Sequence, residues 1–241
     1  MPARSPSAPG AFDALNPSSS AASPAALRAV VVGAGLEACV QRPDSANARV
    51  ARSLALSLGL AQRAIDTPQD PRGQLQRLQA SPEGWLASLP LDPGHPLDEG
   101  GTWAEELGAW RQPALLVIAA HQLPSGAAAS TVALLRQWRV PLLGLVQWGG
   151  LWIPEQRRRD GLPWLGALED QRKAEEERIG EEERNGEEER NREGERNGEG
   201  ERTGEGERTR EDREESARVV IDLLLRRWRG LDHPWSAPIE A

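Results

Sequence analysis

The stretch from residue 113 to residue 150 constrains the fold of this chain more than any other part of its sequence. Residues 114–119 are a short, wholly apolar run, as expected for a strand buried on both faces of a sheet. Residues 130–138 carry apolar side chains at helical spacing, and residues 142–146 form a second uncharged run. Two buried strands joined by one helix predict a right-handed βαβ unit with parallel strands. The expected fold class is α/β, a three-layer fold with a mainly parallel sheet and flanking helices.

The remaining elements follow from the same kind of patterning. Further strands are predicted where short runs favour extended backbone, at 27–32, 63–67 and 162–168. Further helices are predicted where apolar residues lie three or four apart, at 46–58, 73–80, 103–110 and 216–229. Thr102 is expected to cap the helix over 103–110. Irregular loops are predicted in two stretches, 86–101 and 151–160.

Composition separates one foldable domain from segments that are expected to be disordered. The first residues are mainly Ser, Pro and Ala, and a six-residue repeat of Glu, Arg and Gly interrupts the chain near its end. The repeat has no apolar face to bury, so it is not the unit of a solenoid. The expected organisation is a disordered tail (1–26), an α/β domain (27–168), a low-complexity insertion (169–215), a helix completing the domain (216–230) and a tail (231–241).

Charge and residue usage limit the classes of function. The net charge is −8, and residues 169–215 contribute −10 of it (11 basic minus 21 acidic residues), so the remainder is +2. Such a near-neutral domain predicts no nucleic-acid binding. One cysteine, Cys39, and scattered histidines predict no metal site. No apolar run approaches the length of a bilayer-spanning helix, so a cytoplasmic protein without membrane contact is expected.

The segment after the first predicted strand contains a glycine loop that fits two kinds of nucleotide site. Val30–Ala38 matches the dinucleotide pattern G-x-G-x-x-A, so one hypothesis is an NAD(P)-binding Rossmann protein that uses Gly33, Gly35 and Asp66. Asp66 lies farther from the glycines than usual, and a convincing helix begins only near Ser45. A tight strand-to-loop turn is the simpler explanation of the two glycines.

The same loop also has the layout of a phosphate-binding P-loop. A strand, a glycine-containing loop and a helix beginning at Ser45 follow one another, so the candidate binding residues are Gly33, Gly35, Ser45 and Asn47. A P-loop also needs a lysine against the phosphates and a hydroxyl for Mg²⁺. The only lysine in the chain, Lys173, lies beside the repeat instead.

Residues 100–119 (GGTWAEELGAWRQPALLVIA), 130–147 (STVALLRQWRVPLLGLVQ) and 162–168 (LPWLGAL) resemble the C-terminal half of the dethiobiotin synthetases. The resemblance implies a P-loop fold, ATP with Mg²⁺ as candidate cofactors, and closure of the ureido ring in biotin synthesis. It also matches Glu99-Gly100-Gly101 to the family's Glu-Gly-x-Gly-Gly loop, although no aliphatic strand is expected before it here. Gln147 stands where the family has the Asn that contacts adenine.

These departures favour a divergent, non-catalytic relative that binds an anion, a nucleotide or a protein partner. An active ATP-dependent synthetase-like enzyme and the NAD(P)-binding protein are the alternatives. An exposed cluster from Trp148 to Trp152 would indicate a surface for a protein partner, whereas core packing is the simpler role for these rings. His121 follows a predicted strand end, where sheet proteins place functional residues. The sequence does not indicate the ligand or an oligomeric state.

Overall fold

The computed structural model describes residues 27–34, 45–169 and 210–231. Its sheet has six strands: β1 (Arg28–Gly33), β2 (Ala61–Arg63), β3 (Trp85–Ser88), β4 (Ala114–Ala119), β5 (Leu142–Trp148) and β6 (Trp164–Leu168). Its helices are α1 (Ala46–Leu58), α2 (Pro71–Gln79), α3 (Trp103–Ala109), α4 (Ala127–Gln137), α5 (Pro154–Arg159) and α6 (Arg210–Gly230). A 3-10 helix, Ala120–Ser125, connects β4 to α4.

All strand pairs in the sheet are parallel, in the order β2-β3-β1-β4-β5-β6. β1 lies in the middle of the sheet, where Val31 pairs with Ser88 of β3 on one side and with Leu115 of β4 on the other. The predicted α/β fold with a parallel sheet is therefore confirmed. The βαβ unit built from β4, α4 and β5 lies where the apolar runs predicted it.

Helices cover both faces of the sheet and form the outer two of three layers. Val30 and Val32 of β1 point to the face covered by α2, α3 and α4. Ala29 and Val31 point to the face covered by α1 and α6. Alternate residues of one strand thus enter two separate cores, which explains why β1 is apolar and buried from Ala29 onward.

Four element predictions differ from the structure. The stretch 86–101 is not loop throughout, because β3 begins at Trp85 and is buried between β2 and β1. The second strand lies at 61–63 rather than 63–67, and the stretch 151–160 contains the short helix α5. The last helix begins at Arg210, within the segment assigned to the insertion. Short strands carry too few residues for a periodic pattern to reveal them.

Parts of the predicted organisation lie outside the described residues. They include the tail 1–26, most of the glycine loop with Gly35 and Cys39, residues 170–209 of the repeat and the tail after 231. None of the helices in the described ranges combines the length and apolar character needed to cross a bilayer.

The helices α3 and α4 end in the same way, although the two lie in different crossovers. At the end of α4, the amide of Val140 donates to Leu135 and that of Arg139 donates to Arg136, at 2.9 and 3.0 Å. This is the Schellman arrangement, whose αL position is usually glycine. Arg139 holds that position with φ of 56°, and Arg111 holds the equivalent position after α3 with φ of 49°. They are the positive-φ residues other than glycine among those described.

Candidate functional site

The carboxyl edge of the sheet has a topological switch point between β1 and β4. The crossover from β1 runs through α1 to β2 on one side, and the crossover from β4 runs through α4 to β5 on the other. The two helices cover opposite faces of the sheet. Ligands of open α/β sheets bind in the crevice at such a point, beyond the carboxyl ends of the strands. Gly33, at the end of β1, lies at this position.

A glutamine joins the two strand ends at the switch point. Gln122 Nε2 donates to the carbonyl oxygen of Ala34 at 2.6 Å, and Gln122 Oε1 accepts from the amide of Ala119 at 3.0 Å. The side chain thus ties the end of β1 to that of β4 and forms part of the floor of any site there. Sequence reasoning missed this residue. The one signal for it was its position just after a buried strand, next to the exposed His121.

In the sequence, α1 follows the glycine loop, and its amino end is a candidate site for an anion. Ser45 is its N-cap residue, and the Ser45 side chain makes no capping hydrogen bond. The first turn contains no acidic residue. The first amides of a helix have no intrahelical acceptor and carry partial positive charge, so this end favours an anion.

Asn47, the second helical candidate, lies inward rather than toward the edge. Its side chain is buried, and Nδ2 donates to the carbonyl oxygen of Leu89, just beyond β3. This contact fixes the start of α1 against the end of a neighbouring strand. The side-chain amide therefore holds the first turn of α1 in place, and a direct contact between Asn47 and a ligand stays a prediction.

Asp66, the candidate ribose ligand of the dinucleotide hypothesis, is exposed beyond the end of β2. In the dinucleotide fold the strand carrying this acid is the direct neighbour of β1. Here β3 lies between β1 and β2, so the end of β2 is one strand farther from Gly33. This strand order weighs against the NAD(P) hypothesis.

Gln147 lies at the carboxyl end of β5 and is fully buried. Its Nε2 donates to the carbonyl oxygens of Gly149 at 2.9 Å and Leu151 at 3.1 Å. Its Oε1 has no hydrogen-bond partner among the described residues. Both N–H groups are thus occupied by the loop after β5, and one buried acceptor remains unsatisfied at this edge. The Oε1 atom is itself buried, so a ligand could reach it only if the loop after β5 moved.

The other residues of the resemblance do not converge on this edge in the same way. Glu99 and Gly100 lie in the loop that leads into α3, where Gly101 accepts from the amide of Leu97 at 3.1 Å. The strand missing from the sequence comparison exists as β3, but it ends at Ser88, well before this loop. Glu99–Gly101 therefore does not directly follow a strand, as expected from the sequence, and its match to the family's glycine loop stays a prediction.

The tryptophans after β5 mainly pack against one another and against the core. Trp152 meets Trp164 edge to face, with ring centroids 6.0 Å apart, and the guanidinium of Arg157 lies 5.4 Å from the Trp164 ring. Trp148 is half-buried against the second core. The exposed large apolar side chain of this stretch is that of Leu151, at 70%. Packing therefore accounts for these rings, and one leucine does not make a partner surface.

Neither a cluster of metal ligands among the described residues nor a match to a known protein identifies this site. Within the described ranges, no group of three or more His, Cys, Asp or Glu residues is placed to hold a metal ion. A scan against protein-family models found no matching family, and a search of curated proteins found no significant match.

Proposed function

We propose that this chain is a divergent, non-catalytic relative of the dethiobiotin-synthetase type of P-loop protein. In this proposal it binds an anion or a nucleotide at the carboxyl edge of the sheet. The observation that carries it is the position of the end of β1 and of the amino end of α1 at the switch point between β1 and β4. The unmet acceptor of Gln147 lies at the same edge.

Chemistry on the phosphates is not part of the proposal, because the residues that it needs are missing. A P-loop enzyme neutralises developing phosphate charge with a lysine and holds Mg²⁺ with a hydroxyl. The loop from 33 to 45 contains no lysine, and Asn47 is engaged with Leu89. Helix amides alone can hold an anion, but they supply less transition-state stabilisation than a lysine and a metal ion together.

The test is a titration of the full chain with ATP, with and without Mg²⁺, followed by calorimetry and by ADP release. We expect ATP to bind without turnover. Turnover would establish the active-enzyme alternative, and binding of NAD(P) in place of ATP would establish the dinucleotide alternative. Binding of neither would overturn the proposal and leave the protein-partner interpretation.

The variant Ser45→Asp locates the site. Asp is a good N-cap and also complements the helix dipole, so α1 should be as stable as before or more stable. Its charge should nevertheless repel an anion at the helix start and raise the Kd for ATP about tenfold or more. Ser45→Asn is the matched control, because Asn caps equally well without a charge. Equal ATP affinity in Ser45→Asp and Ser45→Asn would exclude this end of α1 as the site.

A further inference from the structure

An open cavity of about 460 Å³ lies on the outer side of the helical layer formed by α2, α3 and α4. It is close to the ends of α3 and α4, away from the carboxyl edge, since both helices run back toward the amino ends of β4 and β5. The residues that line it include three arginines, two glutamates and one tryptophan: Arg72, Arg111, Arg139, Glu105, Glu106 and Trp138. Its size is within the range of small-molecule sites.

Two of the three arginines at this cavity have no partner within the described part of the chain. Arg72 Nε is paired with Glu106 Oε1 at 2.9 Å, so these two charges offset each other. Arg111 and Arg139 are both exposed, and neither makes a side-chain hydrogen bond or an ion pair with another described residue. Glu105 offsets one of the other two arginines, so the residues that line the cavity carry one net positive charge. Two guanidinium groups therefore offer unused donors at one place.

The backbone at these two arginines gives an independent reason to ask what they do. Each occupies the αL position of a Schellman motif, where glycine avoids a cost of about 1–2 kcal/mol. A basic residue does complement the negative end of a helix dipole, but any position in the last turn offers that benefit without the strain. Two strained arginines that line one cavity indicate a role for the guanidinium groups themselves.

We propose that this cavity binds a phosphate-bearing small molecule through Arg111 and Arg139, at a site separate from the carboxyl edge. Two guanidinium forks can present paired N–H donors to the several oxygens of one phosphoryl group. Trp138, which is 37% exposed, also lines the cavity and gives it an apolar group suited to a ligand with a ring or a carbon chain.

The test is calorimetric titration of the full chain with inorganic pyrophosphate in the absence of Mg²⁺. The double variant Arg111→Lys/Arg139→Lys keeps both charges and the same backbone strain, so it should fold as the parent chain does. Lysine lacks the planar fork, and we expect the Kd for pyrophosphate to rise about tenfold or more. Arg158→Lys is the control, because Arg158 is an exposed arginine on α5 outside the cavity.

The variant Ser45→Asp separates this site from the one proposed at α1. Pyrophosphate affinity that falls in the double arginine variant, but not in Ser45→Asp or Arg158→Lys, supports the proposal. No binding at millimolar pyrophosphate, or affinity unchanged in the double variant, would overturn it. Loss of affinity in Ser45→Asp would assign the pyrophosphate to the carboxyl edge instead. Citrate binding as tightly as pyrophosphate would overturn the assignment of phosphate as the ligand chemistry.

Discussion

Gly108 of α3 provides a sharp test of how closely the ends of α3 and α4 pack. Intrinsic helix propensity favours Ala over Gly by about 1 kcal/mol, so propensity alone predicts that Gly108→Ala stabilises the protein. The structure predicts the opposite. A Cβ at this position would lie 2.9 Å from the carbonyl carbon of Trp138 and 3.2 Å from its Cβ, and closer still to its carbonyl oxygen. Contacts under 3.0 Å force something to shift.

The neighbour that would have to move is backbone, in the turn that ends α4. Overpacking of this kind typically costs about 1–3 kcal/mol, and a contact this close with backbone belongs in the upper part of that range. The gain of about 1 kcal/mol in propensity offsets part of the cost. We therefore expect Gly108→Ala to lower the free energy of unfolding by about 1–2 kcal/mol. In a chain of this size, that corresponds to a fall in Tm of about 2–8 °C.

Urea denaturation followed by circular dichroism measures the change. Gly230→Ala is the matched control, because Gly230 lies in α6 with no atom within 4 Å of an added Cβ. That variant should be as stable as the parent chain or more stable by up to about 1 kcal/mol. If Gly108→Ala proved as stable as Gly230→Ala, the close contact between α3 and the end of α4 would be refuted.

Three further changes test other contacts by the same denaturation assay. Arg139→Gly should raise the free energy of unfolding by about 0.5–1 kcal/mol, because the relief of αL strain exceeds the added entropy of the unfolded chain. A loss of stability would contradict the claim that the backbone at Arg139 is strained. Asn47→Ala should lower the free energy of unfolding by about 1–3 kcal/mol, because it leaves the Leu89 carbonyl unpaired. A decrease below about 0.5 kcal/mol would show that this hydrogen bond contributes little to stability. Arg227→Met should lower the free energy of unfolding by about 1–2 kcal/mol, because Arg227 Nη1 donates to two backbone carbonyls at 3.0 and 3.2 Å. Burial lowers the Arg227 pKa by desolvating the guanidinium, and the loss of that penalty in Met offsets part of the cost. An unchanged midpoint would show that these bonds do not hold α6.

The parts of the fold that the sequence predicts well are those where burial on both faces leaves a long apolar run. β4 is buried along all six residues, and its bounds are those of the apolar run. β3 has only four residues and ends in Ser88, so no pattern distinguishes it from the loop around it. β2 is an edge strand with the exposed Gln62 at its centre, and its extended backbone depends on pairing with β3.

For the candidate sites too, local features could be predicted from the sequence, and features that depend on tertiary packing could not. The places of Gly33 at a strand end and of Ser45 at a helix start could be predicted, because both are local features of the chain, whereas their role in binding stays a prediction. The position of Gln122 between two strand ends depends on strand order, and strand order is a tertiary property. The same holds for the arginine cavity, because Arg111 and Arg139 each look like an ordinary basic residue near a helix end. Their convergence depends on α3 packing against α4.

The strand order has a consequence for how this domain is synthesised. β1 precedes the other described strands in the chain and has five buried residues, yet its neighbours in the sheet are β3 and β4. About eighty residues separate Gly33 from Ala114, which at about 5–20 residues per second is about 4–16 s of translation. During that time the apolar run of β1 lacks its second partner strand and is exposed to aggregation or to chaperones. The edge of β1 that pairs with β4 must therefore stay unpaired until β2, β3 and β4 have all been made.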